Sequence, residues 1–330
     1  MTKPLWLAVM LSTALASLNA HAEGSPVNSI SPDRLGIHGS QATLGLSQEW
    51  VRPKPQIQRV VIVLHGRQRN AQTYLRTMER AANQSHERNR TLLIAPQFLD
   101  ERDIAAHHLA DSILRWHEDA WINGSPSVGP QAVSSFTVLD HILKRLSDDK
   151  LFPNLKEIVI AGHSGGAQMA QRYAVLGGKQ EALLHKQGIR LRYVIATPSS
   201  YAWFDAQRPQ TVSEKSCPGF NDWKYGLNKL PAYAARAEHG ELEKDYVQRD
   251  VTYLLGLLDN DPNQSSLDKT CAAEAQGANR LVRGHNYYDY LLKRHPTGLN
   301  QRVVDVPGVG HNGDGIFTAP LSEAVLFKPL

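Results

Sequence analysis

The stretch VIAGHSGGAQMAQRYA, Val159–Ala174, runs an apolar β-type segment straight into Gly162-His163-Ser164-Gly165-Gly166 and then, with no spacer, into a helix-like segment. A turn that sharp between a strand and a helix holds its central residue in a strained backbone conformation and needs neighbours without side chains. Gly162 and Gly166 provide that clearance, and the Ser164 hydroxyl is raised above the end of the strand at a helix N-terminus. The G-x-S-x-G spacing alone is common by chance; its place between a buried strand and a helix is what makes Ser164 a candidate nucleophile. The alternative is a glycine-rich turn whose serine only caps a helix.

Working outward, short β-branched runs alternate with amphipathic segments. Residues 59–64 (RVVIVL), 91–95, 157–161, 192–196, 251–255 and 302–306 are nearly continuous apolar runs, as expected of strands covered on both faces of a mostly parallel sheet. Helical periodicity occupies 72–84, 135–146, 164–176, 277–292 and, more weakly, 315–326. Strand and helix in alternation predict an open α/β sheet. Two longer polar and aromatic stretches, about 105–133 and 199–250, follow strands and are expected to form pocket walls at the ligand-binding edge. Residues 23–56 read as no more than a first hairpin.

Residues 1–22 have the character of an export signal: Lys3 near the start, an apolar run over 5–18, and Ala20-His21-Ala22 as a small-residue cleavage pattern. A mature chain from Glu23, exported to the periplasm or beyond and not inserted in a membrane, is the expectation, as one domain over 23–330. The 36 basic and 32 acidic residues leave a net charge of +4, too weak and too scattered to indicate nucleic acid. Two cysteines, Cys217 and Cys271, point in an oxidising compartment to one disulfide, the alternative being two buried thiols. A bridge closing about 55 residues restricts the unfolded chain by about 4 kcal/mol in the chain-entropy treatment.

A serine hydroxyl needs a base, and the base needs an acid to hold its tautomer. After the strand at 251–255 comes Gly256-Leu257-Leu258-Asp259-Asn260-Asp261; after the strand at 302–306 comes Pro307-Gly308-Val309-Gly310-His311. Of the 14 histidines, His311 alone follows the last strand in a glycine-rich loop. The order Ser164, Asp259, His311 differs from that of the trypsin and subtilisin arrangements. On these residues the chain resembles the α/β hydrolases: IVIAGHSGG is similar to their nucleophile elbow, LLGLLD to their acid turn, VPGVGH to their histidine loop. More narrowly, CPGFNDWKYGLN and LDKTCAAEAQGANRLVRGHNYYDYL resemble segments of secreted hydrolases related to polyhydroxyalkanoate depolymerases and feruloyl esterases.

The resemblance implies an α/β-hydrolase fold, a Ser164-His311-Asp259 triad, and an oxyanion hole from the backbone NH groups of Gly165 and Arg67, with Gln68 the neighbouring alternative for the second donor. Asp261 competes with Asp259 for the acid role, and Asp205 is a third candidate. The expected function is hydrolysis of a small or medium-sized carboxylic ester without cofactor. A peptidase or polyester depolymerase could use the same triad, and a binding protein without turnover is the other class.

Gly308–Gly313 fits G-x-G-x-x-G, but too little chain follows for a dinucleotide-binding unit. Asp259–Asn263 opens like a calcium loop, yet Gln264 and Thr270 stand where glycine and glutamate are required, so no metal is implied. Trp116, Trp121, Trp203 and Trp223 could stack on a substrate, though packing under loops is the commoner use.

Overall fold

The computed structural model describes residues 24–328, except Lys179 and Arg236. The proposed signal segment therefore lies outside the described residues. The strands are β1 (Asp33–Ile37), β2 (Ser40–Leu46), β3 (Arg59–Leu64), β4 (Thr91–Gln97), β5 (Leu99–Asp100), β6 (Arg115–Trp116), β7 (Glu157–His163), β8 (Arg190–Ala196), β9 (Asp250–Gly256) and β10 (Gln301–Val306). Eight of them form one sheet in the order β1-β2-β4-β3-β7-β8-β9-β10, and β5 pairs only with β6. The hairpin β1–β2 and the β2–β4 pair are antiparallel. From β4 to β10 every neighbour is parallel.

Both faces of this sheet are covered, which is why its strands read as unbroken apolar runs. Val60, Ile62, Leu64, Ile158 and Ile160 pack into one core. Their alternating neighbours Val61, Val63, Val159 and Ala161 pack into a second core on the opposite face. The first core is closed by α3 (Ser135–Leu146), α4 (Gly165–Leu176) and α8 (Arg280–Arg294), through Leu139, Ile142, Ala170 and Leu291. The second is closed by α1 (Ala71–Gln84), α9 (Gly313–Thr318) and α10 (Pro320–Leu326), through Met78, Ala82, Phe317 and Leu326. The short helices α2 (Glu101–Ala106), α5 (Glu181–Lys186) and α7 (Cys271–Glu274), with α6 (His239–Gln248), complete the set.

Three expectations shift. The helix foreseen over 315–326 is two helices, α9 and α10, because Pro320 disfavours helical backbone at Ala319 and starts a new helix. The helix expected from Gly277 begins at Arg280, since Asn279 caps it by accepting from Val282 N at 2.9 Å. Within 199–250, α6 is a helix that hydrophobic periodicity does not reveal: only Leu242, Tyr246 and Val247 of its ten residues are buried.

Register aligns the strand ends that carry the candidate site residues. Leu64 lies opposite Gly162, His163 opposite Ala196, and Val306 opposite Gly256. The loops carrying Arg67, Ser164, Asp259 and His311 thus leave the sheet at one edge. At the other edge Glu157 accepts from Arg59 Nε at 2.7 Å and Arg192 Nε at 2.8 Å, with all three side chains sealed from solvent. Arg59 also pairs with Glu87 at 2.8 Å.

Burial pushes the Glu157 carboxyl up, but Arg192 and Arg59 outweigh it and hold it at about 2. A folded pKa below the unfolded one contributes stability that is complete above the ordinary carboxyl range and lost as pH falls from about 4.5 to about 2. Glu157→Gln takes the carboxylate from buried Arg192, while Arg59 keeps Glu87, and is expected to cost roughly 3–5 kcal/mol at neutral pH. Urea unfolding of both proteins from pH 7 to pH 3 measures this, and the gap between them is expected to narrow on the acid side.

Candidate active site

Ser164 is the pivot between β7 and α4, at φ 57° and ψ −118°, a conformation that side chains rarely adopt. Backbone contacts enforce the corner. A Cβ on Gly162 would overlap the Gly166 carbonyl, and one on Gly166 would overlap the Leu64 carbonyl of β3. Gly166→Ala is therefore expected to push α4 off the sheet, costing roughly 1–3 kcal/mol by overpacking and displacing the serine. Thermal unfolding together with the rate of fluorophosphonate labelling measures the two effects separately.

The loops after β9 and β10 are tied together by Leu257 N to Val306 O at 3.0 Å and Leu258 N to Val309 O at 2.9 Å. This brings His311 Nε2 to 3.0 Å from Ser164 Oγ, and His311 Nδ1 to 2.8 Å from Asp259 Oδ2. Asp259 is almost fully buried and His311 largely so. The structure brings these three residues together and leaves the competing acids apart. Asp261 is exposed and accepts from Asn263 N at 2.8 Å, capping its own turn. Asp205 pairs with Arg294 at 2.5 Å.

Under the His311 ring lies His163, centroid to centroid 4.7 Å and tilted by 33°. His163 Nδ1 is 2.8 Å from Tyr74 Oη. Burial, then the neighbouring His311 and Arg280, pull His163 well below the ordinary histidine range, so it stays neutral beside the candidate base.

Sequence reasoning missed Arg280. Its guanidinium is buried, with Nη1 3.5 Å from Asp259 Oδ1 and 2.9 Å from Gln264 Oε1, Nε 3.1 Å from Ser199 Oγ, and Nη2 3.0 Å from Ser266 Oγ. The legible signal was Arg280 and Arg283 in the first turn of a helix, where the dipole disfavours cations unless an anion or carbonyl groups meet them.

Burial lowers the His311 pKa, Asp259 raises it by its hydrogen bond, and Arg280 lowers it. His311 faces Asp259, Arg280 and the neutral His163. A base must be unprotonated, so with His311 as the candidate base activity is expected to fall on the acid side as His311 takes up a proton. Arg280→Met removes a cation that disfavours imidazolium, so the acid limb of kcat/KM is expected to move to higher pH. A pH–rate profile of the variant beside wild type reads the displacement.

The first-strand loop comes to the same corner. A Cβ placed on Gly165 would stand 3.3 Å from Arg67 N and 3.1 Å from Arg67 Cγ, so the two backbone segments lie side by side next to Ser164. Gln68 is exposed in the turn closed by Arg69 N to Gly66 O at 3.1 Å. Buried His65 braces this loop: Nδ1 lies 2.8 Å from Gly66 O, and Nε2 accepts from Phe98 N at 2.9 Å. Burial lowers its pKa to about 4, which keeps it neutral and able to accept.

Cys217 and Cys271 form a disulfide, with Cα atoms 5.8 Å apart, linking the segment after β8 to the start of α7. Trp116, Trp121 and Trp203 are buried packing residues. Trp223 joins the two long stretches, donating from Nε1 to Asn123 O at 2.7 Å.

No family model and no curated protein matches the chain. Solved structures do. The poly(3-hydroxybutyrate) depolymerase LpqC of Bordetella parapertussis is 19% identical over 88% of this chain and 84% of its own, with a TM-score of 0.61. Poly(aspartic acid) hydrolase-1 of Sphingomonas sp. KT-1 is 18% identical over 92% of this chain and 99% of its own, with a TM-score of 0.62. Likeness at this identity speaks to architecture, and with the sheet order and the serine corner it identifies this chain as having the α/β-hydrolase fold.

Proposed function

We propose that this protein is an exported serine hydrolase of carboxylic esters. The observation that carries the proposal is the unbroken contact chain from Ser164 Oγ through His311 to Asp259, set on a strained corner. Strain at a serine that a plain helix cap would not need argues for use over packing. Export is supported by the Cys217–Cys271 disulfide, since such bonds persist in oxidising compartments.

In this mechanism Ser164 Oγ attacks the acyl carbon while His311 Nε2 takes its proton. Asp259 holds the Nδ1–H tautomer and offsets the imidazolium charge. The oxyanion is received by the NH groups of Gly165 and Arg67, each worth about 3 kcal/mol of transition-state stabilisation. His311 then protonates the leaving alkoxide, and water, deprotonated by His311, releases the acid from Ser164.

The similar proteins named above are a poly(3-hydroxybutyrate) depolymerase and a poly(aspartic acid) hydrolase, and fold and triad do not choose among such substrates. A small or medium-sized ester is the proposed substrate. Saturable turnover of p-nitrophenyl acetate and butyrate, with matched p-nitroanilides and poly(3-hydroxybutyrate) films slower, is the expected result. Folded protein that releases no p-nitrophenol above buffer would return the chain to the class of binding proteins, and faster cleavage of the anilides would make it a peptidase.

A further inference from the structure

The loop that carries Arg67 takes its shape from Arg69. Arg69 holds a left-handed φ of 57°, uncommon for a residue with a side chain, and such strain persists only where the surroundings over-determine it. Its NH donates to Gly66 O at 3.1 Å, and its carbonyl accepts from Gln97 Nε2 at 2.9 Å. The guanidinium is buried and forked onto Asp103, with Nε 2.7 Å from Oδ2 and Nη2 3.0 Å from Oδ1. Nη2 also lies 3.2 Å from Asp100 Oδ2, and Nη1 donates back to Arg67 O at 3.4 Å. One buried arginine thus grips the carbonyl of the residue whose NH is the proposed oxyanion donor.

The same buried groups hold a second piece of chain. Residues 25–31 belong to no helix or strand, and side chains from elsewhere pair with their backbone. Val27 N donates to Asp103 Oδ1 at 2.8 Å, and Ser31 N to Gln97 Oε1 at 2.7 Å. Ser25 O accepts from Arg69 Nη2 at 2.9 Å, and Ser29 O from Gln97 Nε2 at 3.0 Å. His107 Nε2 lies 2.6 Å from Val27 O, and Gln72 Nε2 donates to Ile30 O at 2.9 Å. The Val27 side chain fills an apolar seat with Leu99 and Ile113. With Asp100 N at 2.9 Å, Asp103 accepts four hydrogen bonds, the capacity of a carboxylate. Were residues 25–31 to leave, Asp103 and Gln97 would lose buried partners and water would reach Arg69.

We propose that Arg69 is the positioning residue of the oxyanion hole and that residues 25–31 are the strap that locks it, so that the N-terminal segment governs how well the Arg67 NH meets the oxyanion. The proposal rests on the ester-hydrolase reading, with Arg67 as a donor, and adds what holds that donor in place. Arg67 N stands 3.3 Å from a Cβ placed on Gly165, so any shift of the loop is felt beside Ser164. A reacting or stabilising group misplaced by about 1 Å can cost about a hundredfold in rate.

Arg69→Lys and Val27→Asp, each in the full chain, test this. Arg69→Lys keeps a charge beside Asp103 but has no fork to span Asp103, Ser25 O and Arg67 O together. Val27→Asp sets a second carboxylate beside Asp103 in an apolar seat, releasing the strap with Arg69 still present. On p-nitrophenyl butyrate, Arg69→Lys is expected to lower kcat about a hundredfold per folded protein and Val27→Asp about tenfold, with KM within about threefold of wild type. An alkyl trifluoromethyl ketone, whose adduct on Ser164 carries the oxyanion, should bind more weakly by the same factors. The acid limb of the pH–rate profile should stay in place, because His311 and its neighbours are untouched. Circular dichroism gives the folded fraction, and hydrogen exchange over residues 25–31 reports release of the strap. Arg69→Lys with wild-type kcat and ketone affinity, a released strap without effect on either, or a kcat loss that the ketone does not share overturns the positioning role and leaves the hydrolase standing. Folded wild type that cleaves no ester and takes no fluorophosphonate at Ser164 overturns the hydrolase reading, and this proposal with it.

Discussion

Ser164→Ala is expected to lower kcat on a p-nitrophenyl ester by about a million-fold, leaving only what the proposed oxyanion donors and substrate binding supply over water. Among the described residues the side chain makes one hydrogen bond, with His311 Nε2 at 3.0 Å, and alanine keeps the backbone bond from residue 164 N to Ala196 O at 3.1 Å. Alanine, like serine, carries a Cβ at the φ of 57°, so the strain is unchanged and the fold is expected to persist. Unaltered thermal unfolding beside lost turnover is the expected pairing. A loss below a hundredfold would mean that another group performs the attack.

Asp259→Asn is the second large effect, about ten-thousand-fold in kcat. In the proposed mechanism the carboxylate, 2.8 Å from His311 Nδ1, fixes the proton there and leaves Nε2 free to take the serine proton. An amide can present its NH2 to Nδ1 and stabilise the opposite tautomer, with the proton on Nε2 facing Ser164. The change also strips buried Arg280 of its anion, so a stability loss of roughly 3 kcal/mol accompanies the kinetic one. Turnover must be normalised to folded protein by circular dichroism. Asp261→Asn serves as the comparison: among the described residues its carboxylate accepts from Asn263 N, so kcat should stay within a few-fold of wild type. The reverse order of effects would hand the acid role to Asp261.

Much of this architecture was readable because local chemistry and tertiary environment agree. β3 and β7 are buried on both faces, and Val60–Leu64 and Ile158–Ala161 are therefore apolar at every step. The corner was readable because a Cβ at 162 or 166 would strike backbone, which leaves only glycine. The order of the three polar residues along the chain narrowed the topology before any contact was visible.

What escaped depends on partners far away in sequence. α6 is polar on most of its surface and covers the core with few side chains, so its periodicity is weak. Arg280 looks like any surface arginine until β9 delivers Asp259 beside it. Arg172 looks like an exposed helix position, yet Ser200 and the Lys224 backbone close over it from the long stretch after β8. The 147-residue separation of Ser164 and His311 is bridged only by the sheet register, which pairs Val306 with Gly256 and leaves both loops at one edge.

The most direct measurement is the site of covalent modification. Folded wild-type protein treated with a fluorophosphonate, digested and examined by mass spectrometry should yield one phosphonylated peptide, with the adduct on Ser164. An adduct on a different serine, or intact folded protein that carries none, would contradict the assignment of Ser164 as the nucleophile raised at the β7–α4 corner.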